Sequence, residues 1–286
     1  MRALVLSGGG SKGSYQVGAL KYIIGERKVH YDILCGVSVG ALNAAYLAMF
    51  EFGQEETAAN LLSDLWLGID TPQIYKRWYP FGRWHALWEK SFYDSSPLHN
   101  LVKNNISLNK IRNSGKQVNV GTVSLSSGKY TIFDQTSPFF IEAVIASASF
   151  PGMLTPVEFD GQLWSDGGVK ELSPVKKAIE LGADTIDIIM TSPQTRVRKF
   201  IKSPTTVDIL KRSIDLSTDK IMSNDIEKVE MHNKLAEFNI DSKKPVKLNI
   251  LRPDNNLAED LLDFNPIKIA TMKEIGYLDA KSKYIM

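Results

Sequence analysis

A three-layer α/β fold, with helices on both faces of a mostly parallel sheet, is what this sequence predicts. Three observations carry it. Ala3 to Leu6 is a short apolar run that stops at a glycine cluster, and helical apolar spacing follows from Tyr15 to Arg27. Tyr31 to Cys35 is a second apolar run, followed from Val39 by a helix rich in alanine. Thr185 to Met190 repeats the buried-strand pattern after a helical stretch from Pro174 to Leu181. Strands alternating with helices pair in parallel, with helices on both faces.

Composition bounds the rest. A chain of 286 residues, 43% hydrophobic, can bury a substantial core as one large domain or two small ones. A formal net charge of +2 argues against a strongly basic nucleic-acid binder. The lone cysteine, Cys35, excludes an internal disulfide framework and, inside an apolar strand, reads as a buried thiol. Met1 to Ser7 has too short an apolar run for a signal peptide, and no stretch approaches a membrane span. The expectation is a cytoplasmic protein, peripheral at membranes if it acts there; export without an N-terminal signal stays compatible.

Further along, Glu55 to Leu67 is helical by pattern. Ile74 to Tyr93 carries Tyr75, Trp78, Tyr79, Phe81, Trp84, Trp88, Phe92 and Tyr93 among Lys76, Arg77, Arg83 and Lys90. These aromatics read either as the core of an insertion or as an interfacial flap, because Trp and Tyr beside cations suit lipid headgroups. Gln117 to Leu125 and Lys129 to Phe133 pair across the turn Ser126-Ser127-Gly128. Ile141 to Ala148 is helical. Val157 to Trp164 is a hairpin turning at Asp160-Gly161, and it delivers the chain to Ser165-Asp166-Gly167-Gly168. Thr206 to Phe238 is a long charged helix with a break expected near Ser217 or Ser223. Val207, Leu210, Ile214, Ile221 and Val229 hold one of its faces. Val246 to Leu251 is a last strand and Pro266 to Ile275 a last helix. Arg196, Arg198, Lys199 and Lys202 flank Phe200 and Ile201 in a surface loop, with an anionic-headgroup contact as the alternative.

Two glycine-bearing segments carry the chemistry. Gly36-Val37-Ser38-Val39-Gly40 lies between strand and helix and fits the nucleophile elbow, in which glycines leave room for a sharp turn that exposes the serine. Gly8, Gly10 and Gly13 satisfy a dinucleotide fingerprint, but the acidic residue expected for ribose, Asp32, sits at the wrong end of its strand. The same loop can instead supply backbone N–H groups to an oxyanion, with Gly9 and Gly10 brought beside Ser38 if the two strands are adjacent. None of His30, His85, His99 or His232 stands in a catalytic context, and only one strand precedes the elbow, so a Ser-His-Asp triad fits poorly. Asp166, at a strand end before two glycines, is the better base for a serine nucleophile. A turn aspartate capping Gly167-Gly168 is the plain alternative.

Gly8-Gly9-Gly10-Ser11-Lys12-Gly13, Gly36-Val37-Ser38-Val39-Gly40 and Asp166-Gly167-Gly168 stand in the order found in patatin-like phospholipases. Ala146-Ser147-Ala148-Ser149-Phe150-Pro151 resembles that family's A-S-x-A-x-P block, and Ser91 to Leu98 resembles another of its segments. The resemblance covers roughly the first 180 residues. It implies one patatin-like domain over residues 1–286, with 71–95 as an aromatic insertion or flap and 205–286 as a C-terminal helical part. It further implies a lipid acyl hydrolase with Ser38 as nucleophile, Asp166 as base and Gly8, Gly9 and Gly10 around the oxyanion. Gly13, Gly36, Gly40, Gly167 and Gly168 would support the site, and Lys12 holds a position that is basic in the family. No metal or organic cofactor is implied. The implied partners are a phospholipid or other acyl-ester lipid and a transient membrane surface, with no nucleic acid. Leu172-Ser173-Pro174 departs from the Asn-x-Pro that often follows the D-G-G, which leaves the anchoring of that loop open. Two readings compete with hydrolysis: a non-catalytic membrane- or partner-binding module of the same fold, and a dinucleotide-binding protein.

Overall fold

Alternation along the first strand sets the layers. The computed structural model describes residues 1–78, 88–194, 205–238 and 244–284. Strand β1 (Arg2–Leu6) turns Leu4 and Leu6 to one face and Ala3 and Val5 to the other. The remaining strands are β2 (Ile33–Val37), β3 (Gln117–Ser124), β4 (Tyr130–Asp134), β5 (Val157–Phe159), β6 (Gln162–Asp166), β7 (Thr185–Ile189) and β8 (Lys247–Leu251). β3, β2, β1, β7 and β8 run parallel in that order, and β4 and β6 pair antiparallel with β3. β5 forms a hairpin with β6 through Asp160 and Gly161, both at positive φ, as the tight turn predicted there requires.

The helices are α1 (Gly13–Leu20), α2 (Val39–Leu47), α3 (Glu55–Leu67), α4 (Thr71–Ile74), α5 (Ser96–Asn105), α6 (Leu108–Asn113), α7 (Phe140–Ser147), α8 (Val175–Glu180), α9 (Thr206–Glu237) and α10 (Pro266–Lys283). Leu4 and Leu6 share a core with Tyr15 and Leu20 of α1, Ala41 and Ala44 of α2, Trp66 of α3 and Phe140 of α7. On the opposite face Ala3, Val5, Ile33 and Cys35 pack with Val175 and Ala178 of α8 and Met222 and Val229 of α9. The molecule is therefore the expected three-layer α/β structure with a mostly parallel sheet. The Cys35 thiol is fully buried, which pushes its pKa up to about 12. Among the described residues no helix is long and apolar enough to cross a membrane.

Several boundaries differ from the sequence expectation, each for a local reason. β2 spans Ile33–Val37 rather than Tyr31–Cys35, because Gly36 continues the ladder opposite Leu6 and Val120 instead of opening the turn. The helix expected to Arg27 changes at Lys21 into a wider π-helical turn, Lys21–Glu26. The expected break in the long charged helix is absent. Ser217 and Ser223 donate their hydroxyls to the carbonyls of Ser213 and Asp219, four residues back, and so stay within α9. Of the face expected for α9, Val229 is buried and Ile221 packs against the core, whereas Ile214 is exposed and Met222 joins the buried stripe. α10 continues past Ile275 to Lys283, and Gly276 and Asp279 of the added part meet Tyr15 of α1.

In the aromatic segment, Lys76 and Asp94 exchange backbone hydrogen bonds at 3.0 Å and close its base. Tyr75 and Tyr93 lie 4.4 Å apart between ring centres, and Trp88 and Phe92 are exposed. Tyr79, Phe81, Arg83, Trp84 and His85 lie outside the described residues, as does the 196–202 basic cluster.

The α1–α10 crossing depends on two glycines. A Cβ added at Gly18 would stand 1.7 Å from the Lys273 carbonyl oxygen, and one at Gly276 would stand 1.9 Å from that of Tyr15. Backbone cannot rotate away as a side chain can, so Gly276→Val is expected to cost about 3 kcal/mol of stability. Urea unfolding will measure it against Gly68→Ala, where an added Cβ meets nothing closer than 3.5 Å.

Candidate active site

One edge of β3 brings the elbow and the aspartate together. β2 runs alongside β3 until Val37 stands opposite Gly121. The next residue of β3, Thr122, is paired with Asp166, the last residue of β6. The other edge of β3 is occupied at Thr122 and Val123 by β4, so β6 approaches along the same edge as β2 and from the opposite direction. The two strands end against each other, and the residues that leave them are Ser38 and Asp166.

Ser38 turns at φ 57° and ψ −132°, a conformation that strains a residue with a side chain, between β2 and the first turn of α2. The turn closes because two glycines lack side chains. A Cβ at Gly36 would lie 2.3 Å from the Gly40 carbonyl oxygen, and one at Gly40 would lie 2.1 Å from that of Leu6. The Ser38 amide donates to Ser147 Oγ at 2.9 Å, and that hydroxyl donates to the Gly121 carbonyl at 2.7 Å. The N-terminus of α2 lies behind the serine and favours negative charge there.

Asp166 is 1% exposed. Its amide donates to the Ser149 carbonyl at 3.0 Å, its carboxylate accepts from the Gly168 amide at 2.7 Å, and the Ser38 hydroxyl lies near enough to favour the ionised form. Burial disfavours the carboxylate more than these hydrogen bonds favour it, and the pKa rises to about 7. Asp166 thus both caps the D-G-G turn and faces Ser38. Gly167 and Gly168 let the turn sit close: a Cβ at Gly167 would lie 2.6 Å from the Gly121 carbonyl oxygen.

The glycine loop follows β1, the neighbour of β2, so it emerges beside Ser38; a Cβ on Gly8 would lie 3.1 Å from that of Ser38. Gly8 departs from the expected donor role. Its amide is engaged by the Leu172 carbonyl at 3.2 Å, and its own carbonyl accepts from Thr191 Oγ1 at 2.6 Å. The amides of Gly9 and Gly10 have no acceptor among the described residues. Lys12 is buried, with its ammonium donating to Ser192 Oγ at 2.8 Å. Gly13 fits against Val39, 2.3 Å from where its Cβ would stand. Beneath the loop, the buried Asn43 accepts from Trp66 Nε1 and donates to Gln16 and Gly13, tying α1, α2 and α3 into one support.

Ser38 and Gly10 line a pocket that is apolar over most of its wall. Val39, Leu42 and Tyr46 form its α2 side, Leu62, Leu65 and Trp66 its α3 side, and Leu98, Leu101 and Val102 its α5 side. Leu262 and Phe264, which precede α10, complete it. Among the described residues no group of three or more His, Cys, Asp or Glu side chains is placed to hold a metal ion. His232 lies on α9, with Nε2 3.0 Å from the Lys244 carbonyl oxygen.

Three contributions were not read from the sequence. Ser147 and Ser149 lie in the quoted A-S-x-A-x-P block, which marked them without telling what they hold. Leu172 packs into the notch between Gly8 and Gly168, and nothing in its local pattern announces this. Asp225, on α9, accepts from the amides of Leu172 and Ser173 at 2.8 and 2.9 Å. It supplies the anchoring that Leu172-Ser173-Pro174 left open, and as one acid in a charged helix it carries no sequence signal.

Comparison with known proteins bears on these segments directly. The patatin-like phospholipase model matches residues 4–179. An uncharacterized protein of Acanthamoeba polyphaga mimivirus is 31% identical over 59% of this chain and 58% of its own length. Lysophospholipase nte1 of Aspergillus terreus is 27% identical over 64% of this chain and 11% of its own length. Calcium-independent phospholipase A2-gamma of Mus musculus is 22% identical over 100% of this chain and 40% of its own. The chain thus spans less than two thirds of each of these relatives. The family match, by contrast, takes in more than half of the chain and all three glycine-bearing segments, and on that extent the chain belongs to the patatin-like phospholipase family.

Proposed function

We propose that this protein is a lipid acyl hydrolase working through a Ser38–Asp166 dyad. The observation that carries the reading is the buried Asp166 carboxylate beside Ser38, which itself lines an apolar pocket. A fatty-acyl chain fits a pocket walled by leucines and aromatics, and its ester carbonyl then lies against the serine. Relatives named as a lysophospholipase and a phospholipase A2 support an acyl-ester lipid as the substrate class.

Ser38 Oγ attacks the ester carbonyl carbon while Asp166 takes the hydroxyl proton. The carbonyl π pair moves onto oxygen, and the Gly9 and Gly10 amides donate to that oxyanion, aided by the N-terminus of α2. Collapse of the intermediate breaks the bond to the alcohol, which leaves with the proton from Asp166. Asp166 then takes a proton from water as it attacks the acyl-serine, and a second collapse releases the fatty acid and returns the proton to Ser38. One carboxylate serves both halves because it is ionised at the start of each.

Ser38→Ala is expected to abolish fluorophosphonate labelling, and Asp166→Asn to lower ester hydrolysis by about 10³-fold or more. Labelling that persists in Ser38→Ala, or hydrolysis that persists in Asp166→Asn, refutes the dyad.

The pH profile follows from burial of the base. Only ionised Asp166 accepts a proton, so kcat/KM is expected to rise with pH through an apparent pKa near 7, falling about tenfold per pH unit below it. Glu171, which burial also raises to about 7, provides the control: Glu171→Gln is expected to keep the profile. The same raised pKa makes the folded state progressively less favourable as pH climbs from 3.8 to about 7. Asp166→Asn is therefore expected to be more stable than the parent at pH 8, by at most about 4 kcal/mol, with the difference vanishing toward pH 4. Urea midpoints across that range will measure it.

A further inference from the structure

Asp225 is fully buried, fifty-nine residues along the chain from the base, on a helix beyond the matched stretch. Burying a carboxylate is costly unless its oxygens are used. Here one oxygen accepts from two successive amides, those of Leu172 and Ser173, and the other accepts from Lys228 Nζ at 2.8 Å. Leu172 is not a neutral place to anchor. Its carbonyl receives the Gly8 amide, and its side chain lies 3.2 Å from where a Gly8 Cβ would stand and 2.9 Å from where a Gly168 Cβ would stand. One residue therefore braces both the glycine loop and the turn that follows Asp166, and Asp225 holds that residue.

We infer that Asp225 is a positioning residue for the hydrolysis, acting through Leu172 to hold the Gly9–Gly10 amides and the Asp166 turn in register about Ser38. The inference rests on the dyad reading above. It differs from a purely structural role in what it moves. Ground-state binding of an acyl chain depends on the pocket, whereas stabilisation of the oxyanion depends on where the two amides point.

The test compares Asp225→Asn, which keeps an oxygen for both amides, with Asp225→Leu, which removes it at similar volume. Purified full-length variants are assayed on a p-nitrophenyl acyl ester and for the rate of fluorophosphonate labelling, with circular dichroism melts as the check of folding. Asp225→Asn is expected within about threefold of the parent, and folded Asp225→Leu is expected to lose about 10- to 100-fold in kcat at unchanged KM, because small misplacements of catalytic donors are costly. The labelling rate is expected to fall in parallel, since phosphonylation uses the same donors.

A folded Asp225→Leu with parental kcat, a loss confined to KM, or equal losses in both variants overturns the inference while the dyad stands. If Asp225→Leu does not fold, Asp225→Ala takes its place. Failure of both to fold while Asp225→Asn folds assigns Asp225 to stability and also overturns it. A parent that neither hydrolyses esters nor labels at Ser38 sinks the dyad reading, and the inference with it.

Discussion

The Gly121 carbonyl is the point on which the site turns. It receives the Ser147 hydroxyl, which in turn receives the Ser38 amide, and it lies in the space that a side chain on Gly167 would need. It belongs to the one strand that pairs with both β2 and β6, at the residue where the first pairing stops, one before the second begins. A serine on a strained turn and a buried carboxylate would not be kept together by their own attraction, which is weak against the cost of holding either group. The ladder of β3 and one shared oxygen hold them instead. Backbone pairing leaves less slack than side-chain contact, and a hydrogen bond needed for proton transfer tolerates little.

That arrangement opposes stability at several points. Ser38 occupies a backbone region that costs about 1–3 kcal/mol for a residue with a side chain. Asp166 is kept from water, and burial outweighs its hydrogen bonds. The surrounding structure offsets these costs with close packing. Leu6, Tyr15 and Phe140 of the core are fully enclosed, and the Asn43–Gln16–Trp66 network supports the glycine loop from beneath. Buried polar groups that are all paired resist motion more than an apolar contact of the same size.

Much of the architecture was legible because local pattern and global fold agree. The strands at Ala3, Gln117 and Thr185, the helix at Glu55 and the hairpin at Asp160-Gly161 fall where apolar period and turn chemistry put them. Legibility ended where partners are distant. Gly36 resembles a turn residue until Leu6 and Val120 are seen beside it. Ser217 and Ser223 look like helix breakers until their hydroxyls are seen bonded to the preceding turn. At the site, glycines and the serine announce themselves because close approach demands particular residues. The spent amide of Gly8 does not, since it depends on where Leu172 lies.

The last hundred residues carry the family resemblance only faintly, yet the site cannot be drawn without them. The Leu261 carbonyl accepts the Ser11 amide at 2.8 Å and stands 2.1 Å from where a Gly10 Cβ would be, so Gly10 must be a glycine for the loop to seat. Leu262 and Phe264 close the apolar pocket, and Phe264 stacks on Trp66 of α3. Ser38, Asp166 and the glycine loop arise in the matched stretch, where close backbone approach restricts which residues fit. Two residues of the pocket wall, Leu262 and Phe264, and the Asp225 carboxylate that holds Leu172 arise outside it, where many residues could satisfy the same packing. The matched stretch supplies the elbow, the D-G-G turn and most of the pocket wall, and residues beyond it seat the glycine loop and hold Leu172 in place.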